Sequence, residues 1–391
     1  MNPLSTQTTQ YLLHPRAPLV FGMGKPLDFG LGGDSLNFPC PTTVAAALRA
    51  AHSSKTDSNA DPYATIEGLQ LQQLALARFN WLNASEPTTL MLPRPADVVY
   101  LNGRMLSLRP TPTPDGCWTD LAPGLLQLAL QGNAEDKKGK PDPAPAWWAA
   151  NDYCKWLEGS SKNDCTPFSS PGDLSTDNRT HVVIDPEGKG AVQSGLFRSS
   201  GRDFGADAAS TTASGSHGFA IALSVKEPQS LHGEIRRLGG EGRFVRFEAC
   251  KNDVLWQSLK QPEGLDKAEL IRCVLTTPAV FEQKGWHPDT LGFDEKSQTI
   301  CGDLTIQGES SRVQLLAAAI SRSMSYSGWQ KDAQGKGGPG RPWRVVPAGS
   351  VYWLRVKAGD APKLWGQSLC SNTEHAPWLD NGWGRSLVGL D

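Results

Sequence analysis

The stretch SGWQKDAQGKGGPGRPWRVVPAGSVYW, residues 327–353, looks at first like a nucleotide phosphate loop, being rich in glycine and lysine. A phosphate loop, however, leads straight into a helix, whose N-terminus supplies free N–H groups and positive dipole. Here the glycines lead into Pro342 and Pro347, which obstruct a helix. The residues that follow, VYWLRVK (351–357), alternate in type with period two and predict a strand. The basic loop therefore sits on a sheet, and the anion it would serve is not a nucleotide gripped in a strand–loop–helix unit.

The surrounding chain sets bounds on that anion. Its 391 residues allow a sizeable core and two domains. The composition, 39% apolar and 20% charged, is that of a soluble protein, and no apolar run is long enough to span a bilayer. The N-terminus MNPLSTQTTQ lacks the charged and apolar regions of a signal peptide, which gives the expectation of a cytoplasmic protein with no membrane partner. Eight cysteines lie far apart without a CxxC pair, so free thiols are expected, and neither a metal nor another cofactor. The formal net charge of −2 weighs against a free-standing, nonspecific nucleic-acid binder but allows one basic face. Between Arg312 and Lys357 there are eight basic residues and a single acid, Asp332.

Working outward, TQYLLHPRAPLVF (9–21) reads as a strand broken at Pro15, followed by a glycine-rich loop. PTTVAAALRAAHSS (41–54) spaces Val44, Ala47, Leu48 and Ala51 as one face of a short helix. WWAANDYCKWLEG (147–159) is helix-like, with one of the adjacent Trp147 and Trp148 expected in the core and the other at an interface. The polar turn formers of residues 158–178 mark the best domain boundary. Beyond it HVVID, GFAIALSV, RFVRFEA and ELIRCVLTT predict strands, and SRVQLLAAAISRS (311–323) predicts a helix with Val313, Leu316, Ala317 and Ile320 on one face. Strands interleaved with single helices in both halves imply an α+β fold, a helix layer on antiparallel sheet. HVVIDPEGKGAVQSGLFRSS (181–200) reads as strand, turn at Asp185–Gly190, strand. The Ser/Ala/Gly run 206–218 is of low complexity.

A second glycine cluster, LHGEIRRLGGEGRFVRFEAC (231–250), places Gly239, Gly240 and Gly242 ahead of a strand carrying Arg243 and Arg246, with Arg236 and Arg237 upstream. Such glycines let backbone N–H groups approach a polyanion, and arginines add planar donors for phosphate oxygens. A tight turn with solvated charges has the same composition, and both readings stand.

LGGEGRFVRFE resembles the glycine-rich signature of the RAMP proteins of CRISPR systems. GGDSLNFPCPTTVAAALRAA, WWAANDYCKWLEG, NRTHVVIDPEGKGAVQSGLFRSS, SGWQKDAQGKGGPGRPWRVVPAGSVYW and the terminal NGWGRSLVGLD resemble, in the same order, blocks of the third subunit of the Cmr-type (type III-B) effector complex. The acidic, proline-rich stretch around 110–145 departs from that pattern. The resemblance implies two ferredoxin-like, RNA-recognition-type domains with long insertions, at 1–165 and 178–391. It implies a non-catalytic subunit in antiviral defence that holds the 5′ handle of the guide RNA. Its partners would be the large polymerase–cyclase subunit and the first backbone RAMP subunit, with target RNA met indirectly. A protruding hairpin would interrupt guide–target pairing, either 181–200, with His181, Lys189 and Arg198, or the loop at 205–217.

Phosphate contacts position a strand while stacking and base-edge contacts read it. The phosphate candidates are Arg236, Arg243 and Arg246 at the glycine loop, Lys331, Lys336, Arg341 and Arg344 in the opening stretch, Arg16 and Lys25 after the first strand, and Arg49 on the first helix. Among thirteen tryptophans, Trp329 is the stacking candidate. Two rival readings remain. A metal-free endoribonuclease processing guide precursors would need a base such as His14 or His181. A protein-only scaffold would need no RNA contact at all.

Overall fold

The computed structural model describes residues 6–22, 36–56, 66–80, 88–132, 137–159, 174–207, 217–250, 255–306, 309–331 and 337–391. The chain divides into two compact units, each assembled from three segments. The first comprises Met1–Thr89, Gly172–Asp253 and Ser325–Arg344, the second Leu90–Pro171, Val254–Met324 and Val345–Asp391. The boundary stretch 158–178 falls largely outside the described residues.

The first unit contains β1 (Gln7–Pro15), α1 (Pro41–Thr56), β2 (Gln70–Asn80), the hairpin of β3 (Leu174–Ile184) and β4 (Ala191–Asp207), β5 (His217–Glu227) and β6 (Phe244–Ala249). Its sheet runs β6-β1-β5-β2 with every neighbour antiparallel. Because β5 lies between β1 and β2, those two run parallel, and α1 is the crossover that parallel strands require. The apolar face expected of α1 is the one that is covered: Val44, Leu48 and Ala51 are fully buried and Ala47 nearly so. Along β1 and β6 alternate residues turn inward, so Tyr11, Leu13, Val245 and Phe247 are fully buried. His52 of α1 lies 3.1 Å from the Glu227 carboxylate, and Tyr11 Oη donates to the same group. This buried polar pair places α1 over that face of the sheet.

In the second unit four central strands, β7 (Leu270–Leu275), β8 (Glu309–Ala319), β9 (Val351–Val356) and β10 (Ser386–Leu390), run β10-β7-β9-β8, again all antiparallel. Numbered along the chain, both sheets have the order fourth–first–third–second. Here the step from first to second strand is a hairpin, Leu291–Asp294 and Thr299–Ile306, instead of a helix. α2 (Ala150–Leu157) follows a short strand, Trp147–Ala149, that pairs with Thr89–Pro93. The architecture is thus β-rich and antiparallel with few helices, a leaner version of the expected α+β arrangement. The opening stretch behaves as read: Trp329–Lys331 pairs with Gly337–Pro339, and the VYWLRV segment is β9.

Two expectations are corrected. SRVQLLAAAISRS is strand β8, not a helix. Ser311, Val313, Leu315, Ala317 and Ala319 alternate inward, while a register shift between Leu315 and Ala317 brings the intervening Leu316 to 8% exposure. That bulge places adjacent apolar residues in the pattern and imitates a helical period. Trp147 and Trp148 are both buried, at 7% and 0% exposure, because they belong to a strand and not to the following helix. The described cysteines form no disulfide, and no helix among the described residues is long and apolar enough to cross a membrane.

Candidate nucleic-acid interface

The glycine cluster is a closely built turn. Gly239 has φ +76° and a Cβ there would lie 2.4 Å from the Val20 carbonyl oxygen, so only glycine fits the approach. The Gly240 N–H donates to the same oxygen at 2.8 Å, and Leu238 N–H donates to Arg243 O at 2.9 Å. Glu241 and Gly242 are also left-handed, at φ 56° and 65°. The turn thereby docks the start of β6 onto the segment that follows β1.

Two further elements meet it. Leu19 and Arg202 exchange backbone hydrogen bonds of 2.9 and 2.7 Å, joining the post-β1 segment to β4. From the hairpin, His181 approaches Glu241 at 3.7 Å, hydrogen-bonds Ser199 at 2.8 Å and stacks on Phe197 with ring centroids 5.0 Å apart. Burial raises the Glu241 carboxyl, but hydrogen bonds from Ser199 and Arg243 outweigh it and hold the group below its ordinary range. The expected hairpin turn is present: Asp185 N–H donates to Gly190 O at 2.8 Å, with Lys189 exposed at φ 52°. Arg198, opposite Thr180, is exposed, and Val182, Ile184 and Leu196 are 41%, 51% and 61% exposed.

The cations differ in what they hold. Arg236 lies 2.6 Å from Glu234 and donates to Ser54 at the end of α1, while Arg243 lies 3.0 Å from Glu241. Arg246 is exposed in mid-strand and pairs across the ladder with His14 on one side and Ile235 on the other. Arg16 is exposed, and its N–H donates to Phe244 O at 2.9 Å. His14 is 3.4 Å from Glu248. Burial lowers its pKa, Glu248 opposes this, and Arg246 and Arg16 reinforce it.

The structure therefore gathers Arg16, Gly239, Gly240, Gly242, Arg243, Arg246 and His181 around one turn, from three separate parts of the sequence. Arg49, half-buried and influenced electrostatically by Tyr326, and Arg341, stacked over Trp343 at 4.5 Å, belong to the same unit but make other contacts. Arg344 is exposed. For Trp329 and Lys331 the strand is described but not the side chains; Lys25, Lys336 and most of the 205–217 loop lie outside the described residues. Phe244, 42% exposed with Arg237 5.8 Å over its ring, was not among the expected residues. The alternation of RFVRFEA carried the signal, since it puts Phe244 on the same face as Arg246. No group of three His, Cys, Asp or Glu able to hold a metal occurs among the described residues.

An antiparallel sheet presenting a glycine turn rimmed by arginines defines a β-rich protein with a built surface for an extended anion. The family model described as CRISPR-associated protein (Cas_Cmr3) matches residues 11–377, and the chain belongs to that family. Two solved structures are similar over 88% of this chain and 86% of theirs, both of the Type III-B Cmr-beta, by cryo-EM. One, bound to cognate target RNA and AMPPnP, has 13% identity and a TM-score of 0.41. The other, bound to cognate target RNA, has 12% identity and a TM-score of 0.39. No curated protein gives a significant match.

Proposed function

We propose that this chain is a non-catalytic, guide-RNA-binding subunit of a type III-B CRISPR effector complex, acting in antiviral defence. Its first unit holds the 5′ handle of the guide, and the whole subunit links the large polymerase–cyclase subunit to the backbone filament. The observation that carries this reading is the glycine turn closed onto Val20. It leaves backbone and the arginines Arg16, Arg243 and Arg246 facing the same approach, as an extended phosphate backbone requires.

Both sheets are read as ferredoxin-like units that have shed helices: one crossover helix remains in the first, none between the first two central strands of the second. The hairpin of β3 and β4 is the element proposed to end guide–target pairing, with Val182 and Leu196 as the apolar pair opposite each other near its tip.

The rival endoribonuclease needs a base beside a ribose 2′-OH. His181 is occupied with Ser199 and its stack on Phe197, which favours a positioning role. Ultraviolet crosslinking of the chain to a guide bearing its handle, alone and with neighbour subunits, separates the readings. Crosslinks without cleavage are expected. His14-dependent cleavage supports the enzyme, and no crosslink even in the assembled complex supports a protein-only scaffold.

A further inference from the structure

Phe244 is a large apolar ring left 42% exposed on the outward face of β6, while Val245 and Phe247 on either side are fully buried. Its surroundings follow from strand register. On the edge strand Ile235–Arg237, Arg237 pairs with Phe244 and Ile235 with Arg246. On the other side His14 pairs with Arg246, and the Arg16 N–H bond to Phe244 O continues the same ladder by one residue. Cross-strand partners share a face. The outward surface is therefore two short rows, Arg16–Phe244–Arg237 and His14–Arg246–Ile235. The Arg237 guanidinium lies 5.8 Å from the Phe244 ring centroid, and Ile235 is 45% exposed. Glu248, next along the face and 3.4 Å from His14, puts a carboxylate at its far end.

An aromatic face between two cations, with a third cation in the next row, matches an unpaired nucleotide. A base stacks on the ring whatever its identity, guanidinium groups add cation–π attraction, and phosphates take the remaining charge. A protein segment would satisfy the ring and Ile235 but would leave the arginines without counter-charge, so RNA is the better fit. The carboxylate of Glu248 repels a phosphate backbone and sets the limit of the track. We infer that Phe244 is a base-stacking platform for one unpaired guide nucleotide, framed by Arg16 and Arg237, with Arg246 on an adjacent phosphate. This rests on the guide-RNA-binding reading above and adds to it a specific base site outside the glycine turn.

The test uses the full chain and guide RNAs carrying 2-aminopurine at successive handle positions. In the unaltered protein, fluorescence is expected to be quenched at one position beyond the quenching in free RNA. Phe244→Ala is expected to abolish that extra quenching and weaken binding about 5- to 150-fold, with the salt dependence unchanged. Phe244→Trp should restore both, which excludes misfolding as the cause. Arg246→Ala should instead flatten the salt dependence and keep the quenching. If the unaltered protein fails to bind guide, the functional reading and the inference both fall. If it binds and Phe244→Ala binds and quenches equally, only the stacking site falls. Loss of a neighbouring subunit with guide contacts intact would make this face a protein interface and would also overturn the inference.

Discussion

Arg272 on β7 and Asp97, 175 positions apart in sequence, form an ion pair of 2.9 Å with both side chains wholly buried. Arg272 also donates to the carbonyls of Leu390 and Trp156, at 2.8 and 2.5 Å, and its guanidinium lies 5.0 Å from the Trp156 ring centroid. One side chain thus ties the end of the chain and the end of α2 to the centre of the second sheet. Truncating either partner strands a buried charge, so Arg272→Ala or Asp97→Ala is expected to cost about 3–5 kcal/mol. Denaturant unfolding checks this, with a loss below about 1 kcal/mol as the contrary result. The double replacement by apolar residues should recover much of it.

The three glycines of the turn are not equivalent. Gly239 combines φ +76° with the 2.4 Å approach to Val20 O, Gly242 has φ +65° and open space, and Gly240 has ordinary φ with its nearest neighbour at 3.6 Å. Alanine should therefore lower the melting temperature most at 239, by about 1–2 kcal/mol of equivalent free energy at 242, and least at 240. Thermal melts of the three variants test the ranking, and equal effects would mean that the turn is not docked on Val20.

Arg246 and Arg243 should differ in RNA binding. Arg246→Ala removes an exposed cation and is expected to weaken guide binding similarly for all sequences while reducing the salt slope by about one unit. Arg243 is shared with Glu241, so its loss should weaken binding less. Glu241→Gln releases it and should tighten binding about 1.5- to 5-fold. Titrations at several salt concentrations provide the measurement; weaker binding by Glu241→Gln would contradict the scheme.

His14 supplies a pH dependence with a definite sign. Its imidazole is held below the ordinary 6.5, chiefly by burial, so the folded state resists protonation. The associated stability is complete above the free value and is lost as pH falls through the folded one. Melting temperature should decline on acidification from pH 7 to 5 more steeply in the wild type than in His14→Gln. Nuclear magnetic resonance titration should place His14 below 6.5 and show it rising in Arg246→Ala. A titration at or above 6.5 would remove this contribution.

Local pattern made much of this protein readable. The apolar spacing in PTTVAAALRAAHSS yields α1, and the alternation in RFVRFEA and VYWLRV yields β6 and β9, because burial of one face imposes its period on the residues that make it. Proline after glycine in the 327–353 stretch was enough to exclude a phosphate loop. The family-like blocks pointed to the family that matches residues 11–377. The β8 segment was misread because a bulge has the local appearance of a helix; its strand identity comes from partners β9 and Thr299–Ile306, distant in sequence.

The site divides along the same line. Sequence alone determined that glycines and arginines are concentrated near residue 240 and that a hairpin turn lies at 185–190, since both depend on neighbouring residues. Only the tertiary structure decided which charges remain available. Strand pairing brought Arg16 and Arg237 to either side of Phe244, while Glu234 and Glu241 engaged Arg236 and Arg243. Proximity across a sheet is fixed by register between segments hundreds of residues apart, and no local pattern encodes it.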